Sequence, residues 1–245
     1  LNLLCRTALP TTLRRTNSTN MLTPEIEKKI EALRASVTSR LGEFRANHVL
    51  STEGEAARIA AVYLPDDEEK VRISALLHDI TKEYTKEQQL AVFADFGVEV
   101  DAVMRMSPKV FHAHTAALLI PREYPEFADP AVLSAVDKHT TGSADMSLMD
   151  CIIYLADYIE PTRKFEDCKK LRAYFWDGIH AGNTEAENLT HLYRTMVLSF
   201  DLTMENLIDE GCVIAPDTVA ARNAFLVKLA VGGTEEKNEN GTEQS

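Results

Sequence analysis

Apolar residues recur at helical spacing along almost the whole of this chain, and this periodicity limits its fold more than any other feature. From Met21 onward the apolar positions fall three or four residues apart, as in the segment 24–41. Such spacing places apolar side chains on one face of a helix. Only short pieces such as residues 98–100 could form a strand. The sequence therefore predicts an all-α fold.

Local signals mark where several of these helices begin and end. Ser147 and Thr184 are each followed three residues later by an acidic residue, which is the spacing of a capping box. Pro130 directly follows an aspartate, an arrangement typical of a helix start. A helix over residues 86–96 is predicted to end at Gly97, because glycine readily takes the left-handed conformation found after a helix.

The two ends of the chain differ in composition from the rest. Residues 1–20 contain three arginines, many threonines and no acid, which resembles a transit peptide. We favour Met21 as the start of the protein, with residues 1–20 as upstream sequence or a disordered extension. Residues 232–245 contain no apolar side chain and are predicted to be a disordered tail. A single helical domain is expected over residues 21–231.

Charge and cysteine content restrict the classes of partner. The formal net charge of −12 argues against a surface that binds nucleic acid or an anionic membrane. No apolar run approaches the roughly 20 residues needed to span a bilayer. The four cysteines are far apart and show no C-x-x-C pair, so they predict neither a disulfide framework nor a thiolate zinc site. We therefore expect a cytoplasmic protein.

Histidines and aspartates at or near the ends of predicted helices are the candidate chemical groups. Imidazoles mixed with carboxylates suit a six-coordinate transition metal such as iron, manganese or cobalt better than a structural zinc. Adjacent residues on a helix point about 100° apart, but this restriction relaxes at a helix end. An apolar stretch precedes the His78-Asp79 pair and predicts that the pair is buried. The candidates are His48, His78, Asp79, His112, His139 and Asp157.

Five motifs carry a resemblance to a known family. The segments NHVLST, ALLHDITK, VFHAHTAA, DKHTTG and IIYLADYIEPTRKF occur in this order. In that order and spacing they resemble the HD-domain phosphohydrolases, in particular the YqeK-type symmetrical diadenosine tetraphosphate hydrolases. The similarity covers about residues 40–230, and HTTG followed by ADYIEP is its most specific part. The resemblance implies an HD-type helical bundle with a metal centre in its core.

The resemblance also implies roles for individual residues. His48, His78, Asp79 and Asp157 match the four metal ligands of HD domains. His112 and His139 match additional histidines that bind either a second metal or the substrate phosphates, and both roles stay open. His114 competes with His112 for one position, and the order of small residues in HAHTAA favours His112, which leaves His114 on the helix surface.

Further residues are expected around the substrate. Asp79 and Lys82 are the predicted catalytic residues, with Lys82 one helical turn after Asp79 and able to meet a phosphate oxygen as a point charge. Ala215 departs from the family, which commonly has a histidine there. His180 and His191 match no motif and are predicted to face solvent. The predicted substrate-binding residues are Lys82, His112, His139, Thr140, Arg163, Asp217, Thr218, Arg222 and Asn223.

The expected function is symmetrical hydrolysis of diadenosine tetraphosphate to two ADP, by attack of a metal-held hydroxide on a phosphorus. Iron is the favoured metal, as one or two ions, and a homodimer is possible. One alternative is another HD-domain activity on nucleotides, such as a nucleotidase or phosphodiesterase. Others are a non-catalytic nucleotide-binding protein and a helical interaction module with incidental histidines.

Overall fold

A computed structural model describes residues 22–239, and over this range the regular structure is helical. Residues 98–100 are irregular, and no residue of the described range lies in a strand. The prediction of an all-α fold is confirmed. The α-helices are α1 (Pro24–Thr38), α2 (Glu43–Tyr63), α3 (Glu68–Leu77), α4 (Lys86–Asp95), α5 (Ala102–Met106), α6 (Phe111–Glu123), α7 (Pro130–Lys138), α8 (Leu148–Ile159), α9 (Glu166–Asp177), α10 (Glu185–Asp209) and α11 (Pro216–Glu239).

The helix starts predicted at Ser147 and Thr184 are confirmed. The Ser147 amide donates to Asp150 Oδ2 over 2.8 Å, and Ser147 Oγ accepts from the Asp150 amide over 3.1 Å. Thr184 and Glu187 form the same reciprocal pair. Each pair satisfies backbone N–H groups that the first helical turn leaves free. α8 and α10 therefore begin where the sequence predicts.

The domain boundaries stay a prediction. Residues 1–20, the predicted extension, lie outside the described residues. The backbone of α11 continues as helix to Glu239, into the segment 232–245 that is predicted to be a tail. Within residues 22–239, no helix combines the length and apolar character needed to cross a bilayer.

Four helices form a closed ring of neighbours around the centre of the molecule. α2 packs against α3 and α8, and α7 packs against the same two helices, while α6 lies against α7. α8 is the most deeply placed of them, with Ile152, Ile153 and Leu155 fully buried. A helix that is apolar on most of its circumference needs this position. The ring brings the ends of several helices to one place.

Gly142, which follows α7, holds a conformation that other residues rarely adopt. Its φ is +67°, and a Cβ added there would lie 2.6 Å from Phe200 Cζ. We expect Gly142→Ala to lower the free energy of unfolding by at least about 1–2 kcal/mol, from backbone strain alone. Urea denaturation measures this change.

Gly54 provides the matched control. It lies in α2, and a Cβ added there meets nothing within 4 Å. Gly54→Ala is expected to raise the free energy of unfolding by about 0.5–1 kcal/mol, because alanine loses less conformational freedom in a helix. Equal stabilities of the two variants would contradict this account of Gly142.

Candidate metal centre

Side chains from five helical regions meet in one buried cluster. His78 and His139 directly follow the last residues of α3 and α7 and keep right-handed helical dihedral angles. After α3 the backbone hydrogen bonds join residues three apart, from Ile80 to Leu77 and from Lys82 to Asp79, and in this turn His78 and Asp79 both reach the same cluster. The four histidines of the cluster and Asp79 are buried, and Asp157 is partly exposed. The cluster consists of His48, His78, Asp79, His112, His139 and Asp157.

One part of the cluster, the first half-site, contains His48, His78, Asp157 and one oxygen of Asp79. His48 Nε2 lies 2.9 Å from Asp157 Oδ1 and 3.6 Å from Asp79 Oδ2. His78 Nε2 lies 3.4 Å from Asp79 Oδ2 and 3.7 Å from Asp157 Oδ1. Two nitrogens and two oxygens therefore surround one point.

The other part, the second half-site, contains His112, His139 and the other oxygen of Asp79. Asp79 Oδ1 lies 3.3 Å from His112 Nε2 and 3.8 Å from His139 Nε2. The two Nε2 atoms are 3.0 Å apart. Asp79 therefore presents Oδ2 to one half-site and Oδ1 to the other.

Backbone carbonyls fix the orientation of three imidazoles. Nδ1 of His78, His112 and His139 lies 2.6, 2.8 and 2.7 Å from the carbonyl oxygen three residues earlier in each case. A carbonyl only accepts, so Nδ1 carries the proton and donates it. Nε2 of each ring then points into the cluster, as in histidines that bind metals.

Comparison with known proteins shows the family to which a chain with this cluster belongs. The family model of the HD domain matches residues 45–162, which contain all six residues of the cluster. A symmetrical bis(5'-nucleosyl)-tetraphosphatase of Halalkalibacterium halodurans is 31% identical over 192 residues, which make up 78% of this chain and 94% of that protein. The chain belongs to this family of HD-domain proteins.

Two further proteins are similar to this HD-domain protein over most of its length. The symmetrical bis(5'-nucleosyl)-tetraphosphatase of Bacillus subtilis is 31% identical over 193 residues, 79% of this chain and 95% of that protein. A crystal structure of a predicted HD superfamily hydrolase involved in NAD metabolism, from Clostridium acetobutylicum, has a TM-score of 0.69 and 30% identity, covering 81% of this chain and 97% of that one. The HD fold predicted from the motifs is confirmed.

Buried atoms without partners test whether the cluster fits a metal. His78 Nε2 and Asp79 Oδ1 have no hydrogen-bond partner among the described residues. A buried polar atom left unpaired costs about 1–3 kcal/mol. Imidazole nitrogens and carboxylate oxygens are the ligands that suit divalent transition metals. The residues of this HD-domain protein therefore fit a divalent metal ion.

Four of the six residues of the cluster are in the protonation state of metal ligands. Burial opposes ionisation of Asp79 and Asp157, but His78 and Arg163 respectively hold the pKa of each carboxyl well below its usual range. Burial lowers the pKa of His112 and of His139, so both imidazoles are neutral near pH 7. Burial opposes ionisation of His48 and His78, but Asp157 raises the pKa of His48 and Asp79 raises that of His78 to about 10. Because neutral imidazoles and anionic carboxylates are the forms that coordinate metals, a metal ion bound there would displace a proton from each of these two histidines.

Glu160 is part of the site although the sequence prediction did not include it. It is fully buried, and its Oε1 lies 3.1 Å from Nδ1 of His48. The amide of Thr162 donates to Glu160 Oε2 over 2.6 Å. Burial opposes ionisation, yet hydrogen bonds from His48, Ser51 and Thr162 lower the pKa of Glu160 to about 2. This carboxylate holds His48 with Nε2 directed at the first half-site.

We expect Glu160→Gln to lower metal affinity and activity by about 10–100-fold, because the partner that orients a metal-binding histidine is weakened. Titration of the metal-free protein against a competing chelator measures the affinity. Glu166→Gln is the control, since that carboxylate is 88% exposed and contacts only Lys169 among the described ion pairs. A variant at Glu160 with unchanged metal affinity would contradict the orienting role.

Three cations surround the cluster. Arg45 Nη1 lies 2.6 Å from Asp79 Oδ2, and Arg163 Nη2 lies 2.6 Å from Asp157 Oδ1. Lys82 Nζ lies 3.1 Å from His112 Nε2, where burial lowers the pKa of the lysine. Arg45 was missed by the sequence prediction, although its position one turn before His48 on α2 was a signal. Three positively charged side chains therefore lie beside the carboxylates and histidines of the cluster.

The remaining histidines separate cleanly from the cluster. His114 pairs instead with Asp137, at 2.7 Å, which agrees with the choice of His112 over His114. His180 is exposed, as predicted. The prediction for His191 is wrong: its Nε2 donates to the carbonyl of Phe175 over 2.9 Å, and the ring is half-buried. Gly178 makes room for it, since a Cβ there would lie 2.2 Å from the imidazole.

Apart from Lys82 and Arg163, the predicted substrate-binding residues outside the cluster fall into two groups. Thr140, next to His139, and Thr218 line the same cavity. Asp217 and Asn223 are exposed, and Arg222 Nε donates to Asp201 on α10 over 2.5 Å. The contacts of the second group do not connect it with the cluster, so its role stays a prediction.

Proposed function

We propose that this HD-domain protein hydrolyses diadenosine tetraphosphate symmetrically into two ADP. The observation that carries the proposal is the Asp79 carboxylate, whose two oxygens face two histidine-containing half-sites. Two adjacent metal positions suit hydrolysis of a phosphoanhydride. Relatives that carry the name symmetrical bis(5'-nucleosyl)-tetraphosphatase support this choice of substrate.

We propose iron as the metal, with manganese and cobalt as substitutes, because the donor set consists of imidazoles and carboxylates. His48, His78, Asp79 and Asp157 would hold one ion, and His112, His139 and Asp79 the other. Bound divalent ions would lower the pKa of a coordinated water and polarise a phosphoryl oxygen.

The cations beside the cluster account for substrate binding. Arg45 and Arg163 contact the same carboxylate oxygens that would bind metal, so occupation of the half-sites would leave their guanidinium groups to pair with phosphates. A guanidinium can bind a phosphate through two parallel hydrogen bonds, whereas Lys82 acts as a point charge. These three residues would position the tetraphosphate against the cluster.

The products of the reaction test the proposal. Protein loaded with ferrous iron is incubated with diadenosine tetraphosphate, and the nucleotides are separated by anion exchange. We expect ADP as the sole product, with turnover lost on chelation and restored by added iron. AMP plus ATP would refute symmetrical cleavage. No turnover with iron, manganese or cobalt would refute the activity itself.

The alternative functions predict other results. A nucleotidase would release nucleoside and phosphate, and a phosphodiesterase would leave diadenosine tetraphosphate intact while cleaving a diester. A non-catalytic binding protein would bind the dinucleotide without turnover. All six ligand-type residues meet in one cluster, which favours catalysis over a non-catalytic binding protein. The cytoplasmic location and a homodimer stay predictions.

A further inference from the structure

A buried amide in α4 is not explained by the metal ligands or by the cations beside them. Gln89 is 4% exposed and is the one polar side chain among the buried residues of this helix. Burial of an amide is unfavourable unless its donor and its acceptor are paired. Nε2 of Gln89 donates to the carbonyl of Thr81 over 2.8 Å, and Oε1 accepts from the hydroxyl of Thr115. One side chain of α4 therefore joins two other segments of the chain.

Both of these segments carry groups of the cluster. Thr81 lies in the turn 79–82, and Thr115 lies one turn after His112 on α6. The two threonines are fully buried, and their hydroxyl oxygens are 2.9 Å apart. Thr81 Oγ1 also donates to the carbonyl of His112 over 2.8 Å. The Gln89 network, formed by Gln89, Thr81 and Thr115, thus connects the turn with α6.

The turn 79–82 has few backbone hydrogen bonds of its own to fix its position. The bond from Ile80 to Leu77 is 3.4 Å long, beyond the usual range of about 2.7–3.2 Å. α4 supplies a support, because Phe93 packs edge to face on Phe111 of α6 with ring centroids 5.3 Å apart. The Gln89 network therefore attaches the turn to a helix that is already packed against α6.

This attachment acts on the second half-site. Asp79 Oδ1 and Lys82 Nζ, both on the turn, lie 3.3 Å and 3.1 Å from Nε2 of His112 on α6. A shift of the turn against α6 would change both distances at once. The first half-site takes His48 from α2 and Asp157 from α8, and neither shares a hydrogen bond with the network within residues 22–239.

We propose that Gln89 is a positioning residue that keeps the second half-site assembled, so that affinity for a second metal ion depends on its amide. The proposal rests on the proposed function, which places two ions at the cluster, and it deepens that function by adding a side chain outside the ligands. Metal ligands keep their affinity when the hydrogen bonds behind them fix their geometry. Loss of the amide would loosen the second half-site and leave the first assembled.

Titration of the metal-free protein with manganese tests this assignment. Electron paramagnetic resonance of the free manganese ion gives the two dissociation constants in the absence of substrate. His112→Ala identifies the constant of the second half-site, because that variant should abolish it alone. Gln89→Met keeps the length of the side chain but removes both hydrogen bonds. It should raise the dissociation constant of the second half-site about 10–100-fold and leave that of the first unchanged.

Thr115 provides an independent pair of variants, should Gln89→Met fail to fold. Thr115→Val keeps the shape of the side chain but removes the hydroxyl, and it should weaken the second half-site alone. Thr115→Ser retains the hydroxyl and should rescue that loss. Gln88→Met is the matched control: Gln88 is exposed and accepts from the amide of Thr85, so this variant loses a helix cap and should keep both constants.

The outcomes separate positioning from a structural role. A structural role would lower the free energy of unfolding in urea and leave both constants unchanged, and this result would overturn the proposal. Equal weakening of both constants, or a wild-type protein that binds a single manganese ion, would also overturn it. Because the titration contains no nucleotide, a failure to hydrolyse diadenosine tetraphosphate would refute the proposed function and leave the role of Gln89 standing.

Discussion

Replacement of Asp79 by asparagine is expected to lower kcat about a thousandfold or more and to remove metal from both half-sites. Among residues 22–239, Asp79 is the one whose two oxygens face both groups of histidines. Metal ions contribute several kcal/mol of transition-state stabilisation, and each 1.36 kcal/mol corresponds to a factor of ten in rate. An amide keeps the shape of the side chain but loses the charge.

Two measurements check this expectation. Elemental analysis gives the metal content, and hydrolysis of diadenosine tetraphosphate gives kcat, with circular dichroism to show that the variant is folded. Asp95→Asn is the matched control, because Asp95 is 65% exposed and its recorded ion pair with Arg122 is long, at 3.9 Å. An Asp79→Asn protein that keeps two ions would show that the carboxylate does not bridge the half-sites.

Helix positions and candidate ligands could be predicted from the sequence because their signals are local. The capping pair of Ser147 and Asp150 spans three residues, and the His78-Asp79 pair lies at a helix end that local periodicity marks. Motifs at the ends of separate helices then indicated one cluster. The structure brings those ligands together because the ring of α2, α3, α7 and α8 aligns the ends of its members.

The contacts that orient the ligands could not be predicted in this way. Glu160 and His48 are separated by 112 positions in the chain, and their contact depends on how α2 packs against α8. The sequence predicts a surface position for His191 because it matches no motif, and no local pattern shows that Gly178 leaves space for its ring. Such contacts depend on packing between helices, and periodicity describes only one helix at a time.

The second prediction with a large expected effect on activity concerns His112. The sequence leaves open whether this histidine binds a second metal or the substrate phosphates. We expect His112→Ala to lose one of two bound ions and to lower kcat about a hundredfold, since the second half-site keeps only His139 and Asp79 Oδ1. The first half-site does not include His112, so its ion should remain. This makes the variant different from Asp79→Asn, in which both ions are lost. Loss of about 3 kcal/mol of transition-state stabilisation corresponds to this rate change.

His114→Ala is the matched control because His114 lies on the same helix, two residues away, and pairs with Asp137 outside the cluster. It should keep both ions and full activity. The competing role for His112 makes a distinct prediction: if the imidazole bound substrate phosphate and not metal, His112→Ala would keep two ions and raise KM. Metal content and KM measured on the same samples therefore decide between the two roles of His112. Lys82, 3.1 Å from His112 Nε2, would still supply positive charge to a phosphate under either role.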